Sequence, residues 1–214
     1  METSRVVFTQ PGVAQLQKRE LPALAGDQVL VKTEYTVVSG GTERAYLLGM
    51  PNTRQVFPTG IGYCGIGRVV EIGQQVAELS VGDRVLVYHG GHSRYSLISQ
   101  TRLTKIENDK IDSLDAVFTI IASMGLGGVR KLELELGESA MVMGLGLLGM
   151  FSVQFCALSG ANPVIAADLN PERRAMALEL GADYALDPAD ENFVKTVMEL
   201  TGGNAHLRPK AIAE

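Results

Sequence analysis

The sequence predicts a two-part chain: an all-β part made of short strands, then an α/β part built on a parallel sheet. Three observations predict it. From Val6 to about Ile106, short apolar stretches are separated by glycine, proline and asparagine. Near Lys110 the apolar spacing changes from that of strands to that of helices. Finally, Ser139–Leu169, SAMVMGLGLLGMFSVQFCALSGANPVIAADL, reads as strand, glycine turn, helix and strand.

Along the chain, the strand candidates of the first part are Ser4–Thr9, Asp27–Ser39, Gly67–Ile72, Arg84–Tyr88 and Tyr95–Ser99. Turn signals lie at Pro11-Gly12, Gly26-Asp27, Pro51-Asn52, Gly82-Asp83 and Gly90-Gly91. Strands so spaced, with no long helix among them, predict a small β-barrel or sandwich over residues 1–112. Residues 113–136 read as a connecting helix, apolar on several faces. Gly125, Gly127 and Gly128 within it predict a break or a close approach to another backbone. Residues 137–214 form the α/β part.

In that part Ala140–Met143 is a short apolar strand, and Gly144, Gly146 and Gly149 give G-x-G-x-x-G. An apolar helix follows, then a second strand, Pro163–Ala167, ending at Asp168. The first glycine permits the tight turn, the second the close approach of a pyrophosphate, and the third the packing of helix on strand. The helix N-terminus offers N–H groups to phosphates. Asp168 stands 19 residues past Gly149, against a spacing of about 20 for the acid that binds a ribose 2′-OH. This is the fingerprint of a dinucleotide-binding βαβ unit of the Rossmann type. Gly144, Gly146, Leu147, Leu148 and Gly149 are the expected pyrophosphate lining. The two leucines also serve plain helix-start packing. Asp168 favours NAD over NADP, because a 2′-phosphate would face a carboxylate. Arg173 and Arg174 are either basic neighbours of the adenosine ribose or solvated surface, so NADP stays open. Asn170-Pro171 then starts a helix that stops at Gly181, Asp183–Asp187 is a short third strand, and Pro188–Leu200 is a further helix.

The 214 residues are 46% hydrophobic and 20% charged, with net charge −5. This excludes a basic nucleic-acid surface and gives no reason to expect an acidic membrane partner. The N-terminus METSRVVFTQPG lacks an apolar signal core, and no apolar run reaches the roughly 18 residues of a spanning helix. The expectation is a soluble cytoplasmic protein. Cys64 and Cys156 are the only cysteines, in apolar surroundings that suit buried thiols.

Several stretches together, VSGGTERAYLLG (Val38–Gly49), GYCGIGRVVEIG (Gly62–Gly73), VGDRVLV (Val81–Val87), GHSRYSLI (Gly91–Ile98) and Gly137–Asp183, resemble the medium-chain dehydrogenase/reductase family, the zinc alcohol and sorbitol dehydrogenase relatives. The resemblance implies a GroES-like β-barrel domain followed by a Rossmann domain, here a partial one, and an NAD(P)-dependent oxidoreductase acting on a small alcohol or carbonyl. It also exposes departures. At the family's metal-binding Cys stands Gly40, and at its His-Glu pair stand Tyr63 and Cys64. The four-cysteine structural zinc lobe is missing. The resemblance is therefore to the zinc-free branch, with no zinc expected. Thr42 matches the family's proton-relay Ser/Thr, and is otherwise a turn hydroxyl. Tyr63 is expected to face the cleft, either donating a proton to a carbonyl oxygen or filling the space of the metal. Glu43 matches an acid expected to form a salt bridge. His89 and His92 read as exposed loop residues. The stretch SGGTER, Ser39–Arg44, is also similar to bacteriochlorophyllide dehydrogenases, and a quinone-reductase-like activity is a further alternative, as is a non-catalytic nucleotide-binding remnant.

A complete sheet of this type has the order 3-2-1-4-5-6, with the nicotinamide beyond strand 4. The tail Asn204–Glu214, which holds His206, does not read as an apolar strand. The chain is thus expected to be truncated or rearranged, with only the adenosine half of its cofactor site. Ala140–Met143 is expected to lie at an open sheet edge, inviting a homo-oligomer through that edge.

Overall fold

The computed structural model describes residues 1–202 and the backbone of residues 210–213. His206 lies outside the described residues. The chain divides into two compact units, Met1–Ile120 and Ile121–Glu214.

The first unit begins with a hairpin, β1 (Glu2–Gln10) and β2 (Val13–Glu20), closed by the Pro11-Gly12 turn with Gly12 at φ 77°. There follow β3 (Gln28–Val37), α1 (Gly40–Leu48), β4 (Thr59–Gly60), β5 (Cys64–Ile72), β6 (Arg84–Tyr88), β7 (Tyr95–Ser99), β8 (Leu103–Lys105) and α2 (Ser113–Ala116). They form two sheets, β2-β1-β4 and β7-β3-β5-β6-β8. All strand pairs here are antiparallel. A single bridge, Arg5 with Ser93, ties β1 to the approach to β7. Val29 and Val31 of β3 pack with Val69, Val85, Val87 and Ile98 in one apolar cluster. Full burial of each such side chain contributes about 1.5–3 kcal/mol.

The expectation is of no long helix among these strands, and residues 40–48 form a short one that the sequence pattern does not announce. Two glycines at its start and a weak apolar stripe hide it from a pattern reading. The ends hold it instead. Glu43 accepts the Ser39 N–H, and Gly49 closes the helix in the left-handed region at φ 62°.

The second unit holds α3 (Thr119–Lys131), which opens just before the boundary, then β9 (Ala140–Met143), α4 (Leu147–Leu158), β10 (Val164–Ala167), α5 (Pro171–Glu179), β11 (Tyr184–Leu186), α6 (Phe193–Leu200) and β12 (Lys210–Ala213). The expected connecting helix is two helices, α2 and α3. Within α3, a Cβ on Gly125 would come 3.3 Å from Phe151 and Ser152 of α4. The sheet order is β11-β10-β9-β12, parallel throughout. β9 and β10 are nearly or wholly buried at Ala140, Val142 and Val164–Ala167, as central parallel strands are. α6 begins at Phe193, not at Pro188.

β12 corrects the reading of the tail and of the open edge. Lys210–Ala213 pairs residue for residue with Ala140–Met143. In strand order this is 3-2-1-4, so the first strand of the second half-sheet is present. Four residues carry too little alternation to announce a strand. The unpaired N–H and C=O groups of β9 supply the partner that the pattern does not reveal.

Candidate functional site

In the first unit the site begins at the loop that carries Tyr63. Gly62 holds φ 116°, and a Cβ there would come 2.8 Å from His92 N. Only glycine lets the two loops lie this close, with Gly91 N–H bonded to Gly62 O and His92 N–H to Ile61 O. The result sets Tyr63 and His92 along one cleft.

Glu43, one turn into α1, is 5% exposed. Its Oε1 accepts the Ser39 N–H at 2.9 Å, and its Oε2 lies 2.8 Å from His92 Nε2. A carboxylate only accepts, so Nε2 carries the shared proton. The other ring nitrogen, Nδ1, lies 2.8 Å from Thr36 Oγ1. Tyr63 Oη donates to Ser39 Oγ at 2.8 Å. A chain of contacts thus runs from the cleft phenol, through the N-cap serine and a buried carboxylate, to an imidazole. His92 is not the exposed loop residue the sequence suggested; its side chain is 10% exposed. A histidine beside a Gly-Gly turn looks like any surface loop, and its partner Glu43 lies 49 residues away. His89 is exposed, with its backbone at φ 61°. Its ring rests 4.1 Å from the Tyr88 ring and 6.0 Å from that of Tyr63. Partial burial, then the Arg102 charge, lowers its pKa from the usual histidine range.

The cleft encloses about 320 Å³, and its lining includes Thr42, Tyr46, Tyr63, His89 and His92. The fold therefore brings Thr42 and Tyr63 to one concave surface. Gly40 is the first residue of α1, and Cys64, 2% exposed, opens β5. Burial, then the Glu43 charge, pushes the Cys64 thiol up to about 12. Cys156 of α4 is also free and buried, pushed up to about 11 by burial. Among the described residues, no three His, Cys, Asp or Glu side chains converge as a metal cluster would require.

In the second unit the glycine turn lies between β9 and α4. Gly144 takes φ 89°, and Gly149 sits so close to it that a Cβ would overlap the Gly144 carbonyl oxygen. Gly146 caps α4 with no side chain to satisfy the first N–H groups. Leu147 and Leu148 form the first turn; Leu147 is 40% exposed, while Leu145 within the turn is buried.

Asp168 follows β10 and reaches back to this turn. Its Oδ2 accepts Leu145 N–H at 2.7 Å, and its Oδ1 accepts Asn170 N–H at 2.7 Å. Burial opposes its charge, but these N–H groups and Arg173 outweigh it and hold the carboxyl below the usual range. Each oxygen keeps a further lone pair for a ligand hydroxyl. The two arginines part ways. Arg174 Nη1 donates to the Asp168 and Leu169 carbonyls and to Asp187 Oδ2, fastening the loop. Arg173 is exposed, with Nη1 at 3.7 Å from Asp168 Oδ2. Asn170 caps α5 by accepting from Glu172 and Arg173 N–H, and Pro171 takes the first turn. No helix among the described residues is long and apolar enough to cross a membrane.

Comparison with known proteins agrees with both units. The alcohol dehydrogenase GroES-like domain family matches residues 25–132, and the zinc-binding dehydrogenase family matches residues 148–208. L-threonine 3-dehydrogenase of Pyrococcus horikoshii is 28% identical over 93% of this chain and 66% of its own length. An uncharacterized zinc-type alcohol dehydrogenase-like protein of Escherichia coli K12 is 24% identical over 94% of this chain and 67% of its own. The chain spans about two thirds of the length of these curated relatives. In fold, it is similar to an alcohol dehydrogenase of Escherichia coli CFT073 solved with NADH, with a TM-score of 0.86 and 20% identity over 99% of this chain and 69% of that one. A GroES-like unit and a Rossmann-like unit, matched in that order along one chain, place it in the medium-chain dehydrogenase/reductase family of oxidoreductases.

Proposed function

We propose that this chain is an NAD(P)-dependent, zinc-independent oxidoreductase that transfers hydride between a nicotinamide and a small alcohol or carbonyl. The observation that carries the reading is the Gly144–Gly149 turn with the Asp168 carboxylate folded over it. A turn with no room for a Cβ at Gly149, and a helix start without a side-chain cap, fits a pyrophosphate. The family neighbour solved with NADH supports the same ligand class. When bound, the nicotinamide supplies or accepts the hydride at its C4. Backbone N–H groups of Leu147 and Leu148 hold the phosphates, and Asp168 accepts the adenosine ribose hydroxyls. NAD is the better fit, since a 2′-phosphate would meet that carboxylate.

The residues at the family's zinc positions do not fit a zinc ion. Gly40 brings no donor, the Tyr63 phenol is bonded to Ser39, and Cys64 alone is not the set of three or four converging ligands that zinc needs. Proton movement falls instead to side chains of the cleft. The Tyr63 hydroxyl turns its proton toward a substrate oxygen, and Ser39 Oγ, held at the helix start, donates to the phenol in its place. Thr42 supplies a second hydroxyl on the same cleft.

The test is NADH titration by its own fluorescence, then turnover with a carbonyl panel before and after dialysis against a metal chelator. Binding and chelator-insensitive turnover, with Tyr63→Phe lowering kcat about 100-fold, is the expected result. Absent NADH binding, or activity abolished by the chelator and restored by zinc, refutes it.

A further inference from the structure

The cleft of the first unit carries two positive charges that nothing in the described structure neutralises. Arg5 and Arg19 both line it. They sit on adjacent strands of the β1–β2 hairpin, where Arg5 pairs with Gln17 and Thr3 pairs with Arg19. Arg5 and Arg19 are therefore diagonal neighbours on one face, a separation of about 7–8 Å. Among the described residues neither makes a salt bridge or a side-chain hydrogen bond, although ion pairs hold Arg68 and Arg174 elsewhere. The Arg5 Nε is buried with no partner at all. Its Nη1 lies against Gly60, 3.7 Å from where a Cβ would stand. No aspartate or glutamate lines the cleft.

A buried, unpaired guanidinium N–H is costly unless something accepts it. Two like charges side by side add to that cost. Partial burial, then the Arg5 charge, keeps Arg19 below its ordinary range. Hydroxyls of Thr42, Tyr46 and Tyr63 stand on the same cleft. An oxyanion with two or three oxygens would satisfy the forked donors bidentately and cancel the repulsion.

We propose that this cleft takes a substrate bearing a carboxylate or phosphate, whose oxyanion is held by Arg5 and Arg19 while the alcohol or carbonyl end lies by Tyr63 and Thr42. This rests on the oxidoreductase reading for the identity of the reacting end, but the oxyanion site is tested without turnover.

The full chain is titrated calorimetrically with inorganic phosphate and with acetate, at constant ionic strength set by sodium chloride. Acetamide is the neutral control. Saturable binding of phosphate or acetate, with none of acetamide, is expected, and the anion that binds more tightly names the substrate class. Arg19→Gln changes an exposed position and should weaken binding about 10-fold; Arg5→Gln should weaken it at least as much. Arg5→Lys keeps the charge without the fork. It guards against a folding defect, and its affinity should fall between wild type and Arg5→Gln. The proposal is overturned if neither anion binds, or if the double variant R5Q/R19Q binds as the wild type does. NADH titrated into the same samples separates the two readings: loss of NADH binding alone counts against the dinucleotide site and leaves the oxyanion result standing.

Discussion

Asp168→Asn is the most informative single change, because one carboxylate holds two loop N–H groups and is also the proposed ribose ligand. Its two oxygens each accept a backbone N–H at 2.7 Å, from Leu145 and from Asn170. Asparagine keeps one acceptor oxygen and replaces the other with a donor, so one of the two N–H groups loses its partner. A hydrogen bond to a charged group contributes about 1.5–3 kcal/mol, and we expect a loss of stability in that range. The ribose hydroxyl also trades a charged acceptor for a neutral one, which should weaken NADH about 10-fold. Arg173, now 3.7 Å from the carboxylate, loses its counter-ion and becomes available to a 2′-phosphate. NADPH should therefore bind more tightly than to wild type while NADH binds less tightly. Urea unfolding followed by circular dichroism measures the first effect, since the chain has no tryptophan. Reduced-nucleotide fluorescence measures the others. pH adds a signed check. The folded carboxyl sits below its unfolded value of 3.8, so its contribution is complete above that pH. The stability gap between wild type and variant should stay constant down to pH 3.8 and close as the pH falls through the folded value. NADH and NADPH weakening together, or a gap that persists in acid, would refute the reasoning.

Gly149→Ala drives a Cβ into the Gly144 carbonyl oxygen, a backbone atom that cannot step aside. Unfolding should become easier by about 1–3 kcal/mol and NADH binding should fall at least 10-fold; an unchanged urea midpoint would contradict the packing. His92→Ala leaves a Glu43 oxygen and the Thr36 hydroxyl without their partner in a buried site, for an expected loss of about 1–3 kcal/mol in the same assay. Cys64 and Cys156, pushed to about 12 and about 11, should resist iodoacetamide at pH 8 in the folded chain and react fully in denaturant. Fast labelling of the native protein would show that one of them is not buried as described.

The sequence and the structure agree best where the physics is local. The glycine turn, its preceding strand and Asp168 are legible directly, because tight turn, helix start and acid recur at fixed spacing. The strands Arg84–Tyr88 and Tyr95–Ser99 are legible as short stretches set between turn residues. What escapes depends on distant partners. β12 exists because β9 has an edge to satisfy. β2 is mostly exposed, with its one leucine, Leu16, 73% exposed, and it is a strand because β1 pairs with it. Arg19 lies on that inconspicuous strand, so its place on the cleft is hidden too.

The Glu43–His92 pair and the close approach of the two loops at Gly62 have one physical account. A carboxylate at 5% exposure needs donors for both oxygens or a cation beside it. With Gly40 donating nothing and Tyr63 turned to Ser39, Glu43 draws its donors from the Ser39 N–H and from His92. For His92 to reach it, the 91–92 backbone must press against residue 62, which is why position 62 takes φ 116° with no space for a Cβ. The same approach exposes the Tyr63 phenol to the cleft and fixes its partner, Ser39, at the head of a helix. The buried pair thus fixes the head of α1, and with it the Ser39 hydroxyl to which the Tyr63 phenol is bonded. On the proposed reading, protons move through this oriented phenol and the arginines of the neighbouring hairpin recognise charge.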